Sequence, residues 1–372
     1  MSSLDLQYLR LAAHLALRGH GGAEPNPLVG CVIVSSEGFV VGWGYHRKCG
    51  EEHAEIHALR RAGSDLAKGA TVYVTLEPCN HEGRTGPCAE AIIKAGIARV
   101  VIGRADPHPE ARGGANRLRA AGLEVVIIDD CSEARAVSEP FVHRVNTGLP
   151  WVVAKWAQTV DGKIATRTGA SQWISGERSR RMVHRERGRV DAILTGIGTV
   201  LKDDPQMTAR GVRLRRIARR VVIDPKLQIP LDCRLVKAAG EIPLTIACHD
   251  SLLEASDPKG LALRNRGVEI LGMPMDGGNM RLKPVLQELV SRHETATVLV
   301  EAGAGLLSRL FRENLVNEAW VFLGPLLLGD EQAASPMRGM VVSELTDGVS
   351  LQLRDLRRRG DDVMLRYGVG SP

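Results

Sequence analysis

His53-Ala54-Glu55, followed by Thr75-Leu76-Glu77-Pro78-Cys79-Asn80-His81-Glu82-Gly83-Arg84-Thr85-Gly86-Pro87-Cys88, decides how the chain reads. It offers one imidazole, two thiols and a carboxylate two residues past the imidazole. Three N/S ligands leave the fourth tetrahedral position of a zinc ion open to water, which marks a catalytic rather than a structural site. Such an ion lowers the pKa of the water to roughly 7. Glu55 is placed to take the water's proton and return it to a leaving amine. His53, Cys79 and Cys88 are thus the candidate ligands and Glu55 the candidate proton shuttle. A purely structural zinc would need a fourth protein ligand, for which Cys49 or His81 could be offered.

The order His-x-Glu, Pro-Cys, Cys is that of hydrolytic zinc deaminases acting on nucleobases. That signature has two residues between its cysteines; here eight separate Cys79 from Cys88.

Around this stretch the chain alternates helix and strand patterns over its first ~145 residues. Leu6, Leu9, Ala13 and Leu17 recur at helical spacing. Val29 to Val34 and Val40 to Tyr45 are short β-branched runs joined by Ser35-Ser36-Glu37-Gly38, whose turn residues predict a hairpin. Helix is expected from His53 to Ala62 and from Pro87 to Ala95, and strand at 71–76, 100–103 and 123–128. The metal ligands would then come from two helix starts and one strand end. Helix N-termini carry partial positive charge, which suits anionic sulfur. Cys31, in an apolar strand, reads as a small core residue. Asn26, between two prolines, fits either a turn cap or a ligand contact. His46, at a strand end, fits either a surface or a site residue.

At 372 residues two domains are the default, with a boundary near Asn146-Thr147-Gly148-Leu149-Pro150. Lys and Arg total 49 against 43 Asp and Glu, a mild excess that fits an anionic small molecule better than a nucleic-acid coat. Only 3% of residues are aromatic, too few for a base-stacking platform. Seven scattered cysteines form no disulfide framework and fit a reducing cytoplasm. No apolar stretch reaches the length of a membrane span, and residues 4–18 lack an unbroken apolar core, so they read as an amphipathic helix rather than a signal peptide. The run Arg213, Arg215, Arg216, Arg219, Arg220 reads as a solvated face.

The second half has two strand–glycine–helix junctions, Ile193-Leu194-Thr195-Gly196-Ile197-Gly198-Thr199 and Leu299-Val300-Glu301-Ala302-Gly303-Ala304-Gly305. Glycines admit phosphate close to the backbone, and a helix start behind them offers free N–H donors. The second junction has Ser308 in the third glycine place of Gly-x-Gly-x-x-Gly, and no acidic residue ends a following strand. A Rossmann site is therefore rejected and phosphate binding kept. Asp161-Gly162-Lys163 and Ser171-Gln172-Trp173-Ile174-Ser175 are further candidate site segments, and Asp276-Gly277-Gly278-Asn279 a probable loop.

Together with Pro25-Asn26-Pro27-Leu28-Val29-Gly30, Gly44-Tyr45-His46 and Thr199-Val200-Leu201-Lys202-Asp203-Asp204-Pro205, these motifs resemble the bifunctional deaminase–reductases of riboflavin biosynthesis, over residues 5 to 368. The long Cys-x8-Cys interval belongs to that family's form of the signature. The resemblance implies an α/β chain: a cytidine-deaminase-like three-layer domain, 1–147, then a dihydrofolate-reductase-like domain, 148–372. It implies hydrolytic removal of the 2-amino group of 2,5-diamino-6-ribosylamino-4(3H)-pyrimidinone 5′-phosphate at zinc, then NADPH reduction of the ribosyl group. It also implies a cytoplasmic homodimer formed through the reductase domain, with no nucleic-acid or membrane partner.

By matching position, the resemblance makes His53, Cys79 and Cys88 the zinc ligands and Glu55 the shuttle. Asn26, His46 and His81 become pyrimidine or ribose contacts and Arg84 a phosphate contact. Ala157, Trp173, Thr199, Asp203 and a loop of Gly303, Ala304, Gly305, Leu306, Leu307, Ser308 and Arg309 become NADPH contacts. Ser171, Arg187, Met207, Arg210 and Glu301 become substrate contacts, with Lys155 and Glu301 orienting the opened sugar. Asn80, Glu82, His108 and Pro225 depart from the family pattern, and Pro225 removes one backbone donor. Two other readings are a deaminase acting on nucleic acid and a non-catalytic zinc scaffold. The glycine junctions and the Ser-Gln-Trp segment favour the two-step enzyme.

Overall fold

In a computed structural model the chain is described at residues 3–82, 86–253, 257–276 and 279–370. It divides into two compact units, Met1–Leu149 and Pro150–Pro372. No helix among the described residues is long and apolar enough to cross a membrane.

In the first unit, α1 (Ser3–Ala16) leads to the hairpin β1 (Gly30–Val34) and β2 (Val40–Tyr45). Then follow α2 (Ala54–Ala67), β3 (Thr71–Val74), α3 (Cys88–Lys94), β4 (Arg99–Ile102), α4 (Gly114–Ala120), β5 (Glu124–Ile127) and α5 (Ser132–Thr147). The sheet order is β2-β1-β3-β4-β5, antiparallel at β2/β1/β3 and parallel beyond. Side chains alternate across a strand. In β1 this sends Val32 and Val34 to one face and Cys31 and Ile33 to the other. The first face packs on Leu9 and Ala12 of α1 and Ala134 of α5. The second packs on Ala54, Ala58 and Ala62 of α2, Ile92 of α3 and Leu118 of α4. The result is a three-layer α/β/α unit with Cys31 in its core, fully buried.

Small residues bring α2 unusually close to β2. A Cβ on Gly44 would overlap the carbonyl oxygen of Ala54, and one on Gly42 that of Ala58. This contact fixes the start of α2, where His53 and Glu55 sit. α5 was not anticipated: Pro140 lies inside it, where proline ordinarily ends a helix.

The second unit contains β6 (Trp151–Gln158), α6 (Glu177–Arg187), β7 (Ala192–Gly196), α7 (Ile197–Asp203), β8 (Arg219–Ile223), α8 (Arg234–Lys237), β9 (Leu244–His249), α9 (Pro258–Arg264) and β10 (Val268–Met273). After the two-residue strands β11 (Met275–Asp276) and β12 (Asn279–Met280) come α10 (Leu282–His293), β13 (Thr297–Val300), α11 (Ala304–Arg312), β14 (Glu318–Leu323) and the hairpin β15 (Leu351–Arg359) and β16 (Asp362–Val369). The nine-stranded sheet has the order β10-β9-β8-β7-β13-β6-β14-β16-β15, parallel from β10 to β14 and antiparallel at the final hairpin. In open parallel sheets ligands bind beyond the strands' carboxyl ends, where connections leave in both directions. Here those are the ends of β7, β13 and β6. The expected loop 276–279 joins β11 to β12, and its two glycines lie outside the described residues.

The arginine run is not a solvated face throughout. Arg216 pairs with Asp191, and Arg219 with Glu269 at 3.0 Å. Arg220 is buried and donates to the carbonyl oxygens of Ala238 and Ile242. Three of the five cations thus stitch elements together; Arg213 and Arg215 are exposed.

Candidate active sites

His53 is the residue just before α2, and Glu55 lies in its first turn. Cys79 lies in the loop after β3, five residues past the strand's last residue, and Cys88 opens α3. The fold brings the three ligands together: His53 Nδ1 is 3.5 Å from Cys79 Sγ and 3.3 Å from Cys88 Sγ, with all ligand atoms within 4.8 Å of one another. Ligands sharing one tetrahedral zinc stand roughly 3.5 Å apart in N···S distance, given the usual bond lengths. The donor set and spacing therefore fit zinc. Neither Cys49 nor His81 joins the cluster among the described residues.

Within the trio, the hydrogen bond with Cys79 raises the His53 imidazole to about 9, and Cys79 and burial push the Cys88 thiol well above its ordinary value. The Cys88 thiol and His53 hold the Cys79 thiol well below its ordinary value, against the pull of burial. The Cys88 backbone N–H, at the start of α3, donates to Cys79 Sγ at 3.4 Å. Glu55 is 3% exposed, and burial pushes its carboxyl up to about 7, against the charge of His53. Its Oε2 accepts no hydrogen bond. A buried acceptor with no protein partner calls for a ligand or water.

A second shell surrounds the trio. His46 is 2% exposed, so it is no surface residue. Its Nδ1 lies 3.2 Å from Glu52 O, and Asn26 Nδ2 donates to its Nε2 at 3.3 Å. Its ring meets that of His53 edge-on at 5.2 Å. Asn26, His46 and His53 thus form one chain of contacts. His81 Nδ1 is sheltered without a hydrogen-bond partner. Arg84 lies outside the described residues.

Glu77 is a residue the sequence reading did not single out. Its carboxylate accepts three backbone N–H groups, from Asp106 at 3.0 Å, Gly113 at 3.1 Å and Ala115 at 2.8 Å. It moors the loop after β4 and the start of α4 beside Pro78-Cys79. An acid immediately before Pro-Cys was the available signal.

In the second unit Lys155 points from β6, its Nζ 5.7 Å from the Phe322 ring centroid, and burial pulls its pKa down. Glu301 follows β13; its N–H donates to Leu194 O and its carbonyl accepts from Thr195 Oγ1. Its carboxylate meets Arg187 of α6 in a two-pronged pair, 2.6 Å from Nε and 2.8 Å from Nη2. Burial alone would raise Glu301; the charges of Arg187 and Lys155 outweigh it and hold the carboxyl at about 2. Arg187 Nη1 donates to Thr208 O at 3.2 Å. Much of the guanidinium of this candidate substrate contact is thus occupied by protein groups. Arg210 is exposed and donates to Gln206 Oε1 at 2.9 Å. Met207 is buried with φ +51°.

Ala157 lies two residues beyond Lys155 on β6, and Thr199 and Asp203 lie on α7. The expected loop 303–309 is instead the start of α11: Gly303 is its N-cap, and Ala304, Gly305 and Leu306 form its first turn. Leu307 and Ser308 are buried there, and Arg309 donates to Met280 O. Ser171 is half-buried. Trp173 is 64% exposed, with the Arg180 guanidinium 4.4 Å over its ring. It borders a cleft of about 930 Å3 with Arg178, Arg358 and Asp362; Lys155 and Glu301 do not line that cleft.

A zinc-type trio beside a buried carboxylate, followed by a parallel sheet with glycine–helix junctions, defines a zinc-dependent deaminase joined to a reductase. Residues 2–104 match the cytidine and deoxycytidylate deaminase zinc-binding region, and residues 150–365 match the RibD C-terminal domain. The chain is 40% identical to the riboflavin biosynthesis protein RibD of Actinobacillus pleuropneumoniae, across 99% of this chain and 96% of that one. It is 38% identical to the RibD of Escherichia coli K12, across 99% and 100%. It superposes on Acinetobacter baumannii RibD with a TM-score of 0.82 at 34% identity, covering 99% of each chain. For a Thermotoga maritima diaminohydroxyphosphoribosylaminopyrimidine deaminase/5-amino-6-(5-phosphoribosylamino)uracil reductase the TM-score is 0.83 at 30% identity, again over 99% of each. The chain belongs to the RibD family, the bifunctional deaminase–reductases of riboflavin biosynthesis.

Proposed function

We propose that residues 1–147 deaminate a 2,5-diamino-6-ribosylamino-pyrimidinone 5′-phosphate and that residues 148–372 reduce the ribosyl group of the product. The observation that carries this reading is the His53–Cys79–Cys88 cluster beside buried Glu55. His53, Cys79 and Cys88 hold the zinc, which when bound supplies the Lewis acidity that makes water a nucleophile at neutral pH. Glu55 moves the proton, accepting it at a carboxylate oxygen as water adds to C2 and returning it to the departing amine. A carboxyl raised to about 7 is suited to both transfers. Asn26, His46 and His81 orient the pyrimidine and ribose, and Arg84 contacts the phosphate.

In the reductase step NADPH supplies the hydride to the ring-opened sugar. Ala157, Trp173, Thr199, Asp203 and the α11 start from Gly303 to Arg309 would hold the coenzyme, the helix start offering N–H donors suited to phosphate. Leu307 and Ser308 shape that turn from the core side. Lys155 polarises the sugar oxygen, while Glu301, fixed by Arg187, orients Lys155 and the sugar. Ser171, Met207 and Arg210 complete the substrate site, with Arg210 on the phosphate. The enzyme works in the cytoplasm as a homodimer through its second unit. Leu351, Leu353 and Leu356, all exposed on edge strand β15, support such a partner surface.

One assay tests both halves: ammonia release and NADPH oxidation in Glu55→Gln. Ammonia release falls by about 10³. Bound zinc stays equimolar, and NADPH oxidation with deaminated substrate stays at the wild-type rate. Loss of zinc would make Glu55 a ligand, and a wild-type protein inert toward NADPH would remove the reductase assignment.

A further inference from the structure

The Lys155–Arg187–Glu301 cluster has an imidazole at its edge that the chemistry above does not use. His184 lies three residues before Arg187 on α6, hence on the same helix face. Its Nδ1 is 3.2 Å from Thr208 O and 3.3 Å from Arg210 N. One ring nitrogen serves one of these at a time: it donates to Thr208 when it carries the proton and accepts from Arg210 when it does not. Arg187 Nη1 donates to the same Thr208 carbonyl. Two residues of α6 therefore clasp the backbone near the end of the segment from Asp204 to Arg210.

Asp204 and Met207 tie the segment down before Thr208: Asp204 Oδ1 accepts from Arg234 N at 2.8 Å, and Met207 is buried in the core. The segment follows α7 as irregular chain, and two non-glycine residues in it take left-handed conformations, Asp204 at φ +38° and Met207 at φ +51°. Such conformations persist where surrounding contacts impose them. The Arg210 side chain is exposed and hydrogen-bonds Gln206, a neighbour on the same segment. Its guanidinium is therefore located by its backbone, which Arg187 holds at Thr208 and His184 reaches at both Thr208 and Arg210.

We infer that His184 is a positioning residue of the reductase site, setting the Thr208–Arg210 backbone and through it the guanidinium that receives the substrate phosphate. This rests on the reading of Arg210 as the phosphate contact. The imidazole acts through Arg210. Its effect falls on phosphate binding and leaves hydride transfer alone, so it moves KM rather than kcat.

The test measures NADPH oxidation with the deaminated pyrimidine ribosyl phosphate in His184→Ala, His184→Gln and His184→Asn, beside Arg210→Ala. Losing the anchor raises KM for the pyrimidine about tenfold with little change in kcat. Asparagine places a polar atom near the Nδ1 position and restores most of the affinity. Glutamine reaches the Nε2 position instead and does not. In an Arg210→Ala background the His184→Ala change adds little, because both act on one contact. An unmoved KM in His184→Ala, or equal losses in the asparagine and glutamine variants, overturns the role of His184. An unmoved KM in Arg210→Ala overturns instead the reading of Arg210. Should the alanine variant not fold, the asparagine–glutamine contrast makes the same decision.

Discussion

The deaminase trio comes from one short stretch, residues 53 to 88, and meets at the starts of two helices. The proposed reductase cluster draws Lys155, Arg187 and Glu301 from a strand, a helix and a strand end, spread from 155 to 301. The first site depends on which atoms are present: an imidazole and two sulfurs at bonding distance from one point. The second depends on which charges the fold pairs. A metal site is therefore written in residue types, whereas an ion-pair cluster acquires its meaning only once folded. Arg187 shows this: as sequence it is a candidate substrate contact, but in the fold it holds Glu301 on two prongs and Thr208 on a third.

The sharpest way to separate the two sites is to remove the metal. Exhaustive chelation takes ammonia release to background, because water then lacks an activating ion. NADPH oxidation with deaminated substrate is unaffected, since its cluster contains no metal ligands. Parallel loss of both activities would show that the reductase depends on the zinc site and would break the contrast.

The next largest effect belongs to Glu301. Its carboxyl is held at about 2 against an ordinary 4.5. A depressed carboxyl contributes stability that is complete above its unfolded pKa and lost as pH falls through the folded one, here from about 4.5 toward 2. The shift corresponds to on the order of 3 kcal/mol. Glu301→Gln costs about that at pH 7, because it leaves Arg187 buried without its counter-charge. It also flattens the acid limb of the stability profile. Urea unfolding by tryptophan fluorescence reads this, since Trp151, Trp156, Trp173 and Trp320 all lie in the second unit. An acid limb as steep as that of the wild type would show that Glu301 is not the group responsible.

Much of the fold was legible in the sequence. The strands of the first sheet, and β7 and β13 before their glycines, are short apolar or β-branched runs bounded by turn residues, and the sequence pattern found them. α5 was hidden by Pro140. β15 was hidden because its apolar residues, Leu351, Leu353 and Leu356, keep no single alternation and are all exposed, so no buried face was marked. The start of α11 looked like a loop because Gly303 and Gly305 suggest one; a glycine at the N-cap is in fact a common helix entry. At the sites, residue type revealed the trio and Glu55. Glu77 and His184 escaped because each acts on backbone atoms of a segment distant in sequence, and nothing local records such a bond.

The smallest expected effects lie within the arginine run, where one local pattern contains two physical situations. Arg220 is 1% exposed, and burial pulls its pKa down to about 10, so it stays charged at neutral pH. Its guanidinium caps two carbonyls beyond α8, and its Nε has no partner. Arg220→Met keeps most of the apolar stem and removes the charged hydrogen bonds, which are worth about 1.5–3 kcal/mol together with the carbonyls they leave bare. Arg213 is exposed, and Arg213→Ala stays within about 0.5 kcal/mol. The measurement is the difference between the two unfolding midpoints. Equal costs would mean that the run acts as one electrostatic surface, as a phosphate-binding strip would. Unequal costs mean that Arg220 belongs to the packing of the sheet and that only Arg213 has the freedom the sequence pattern suggests for all five.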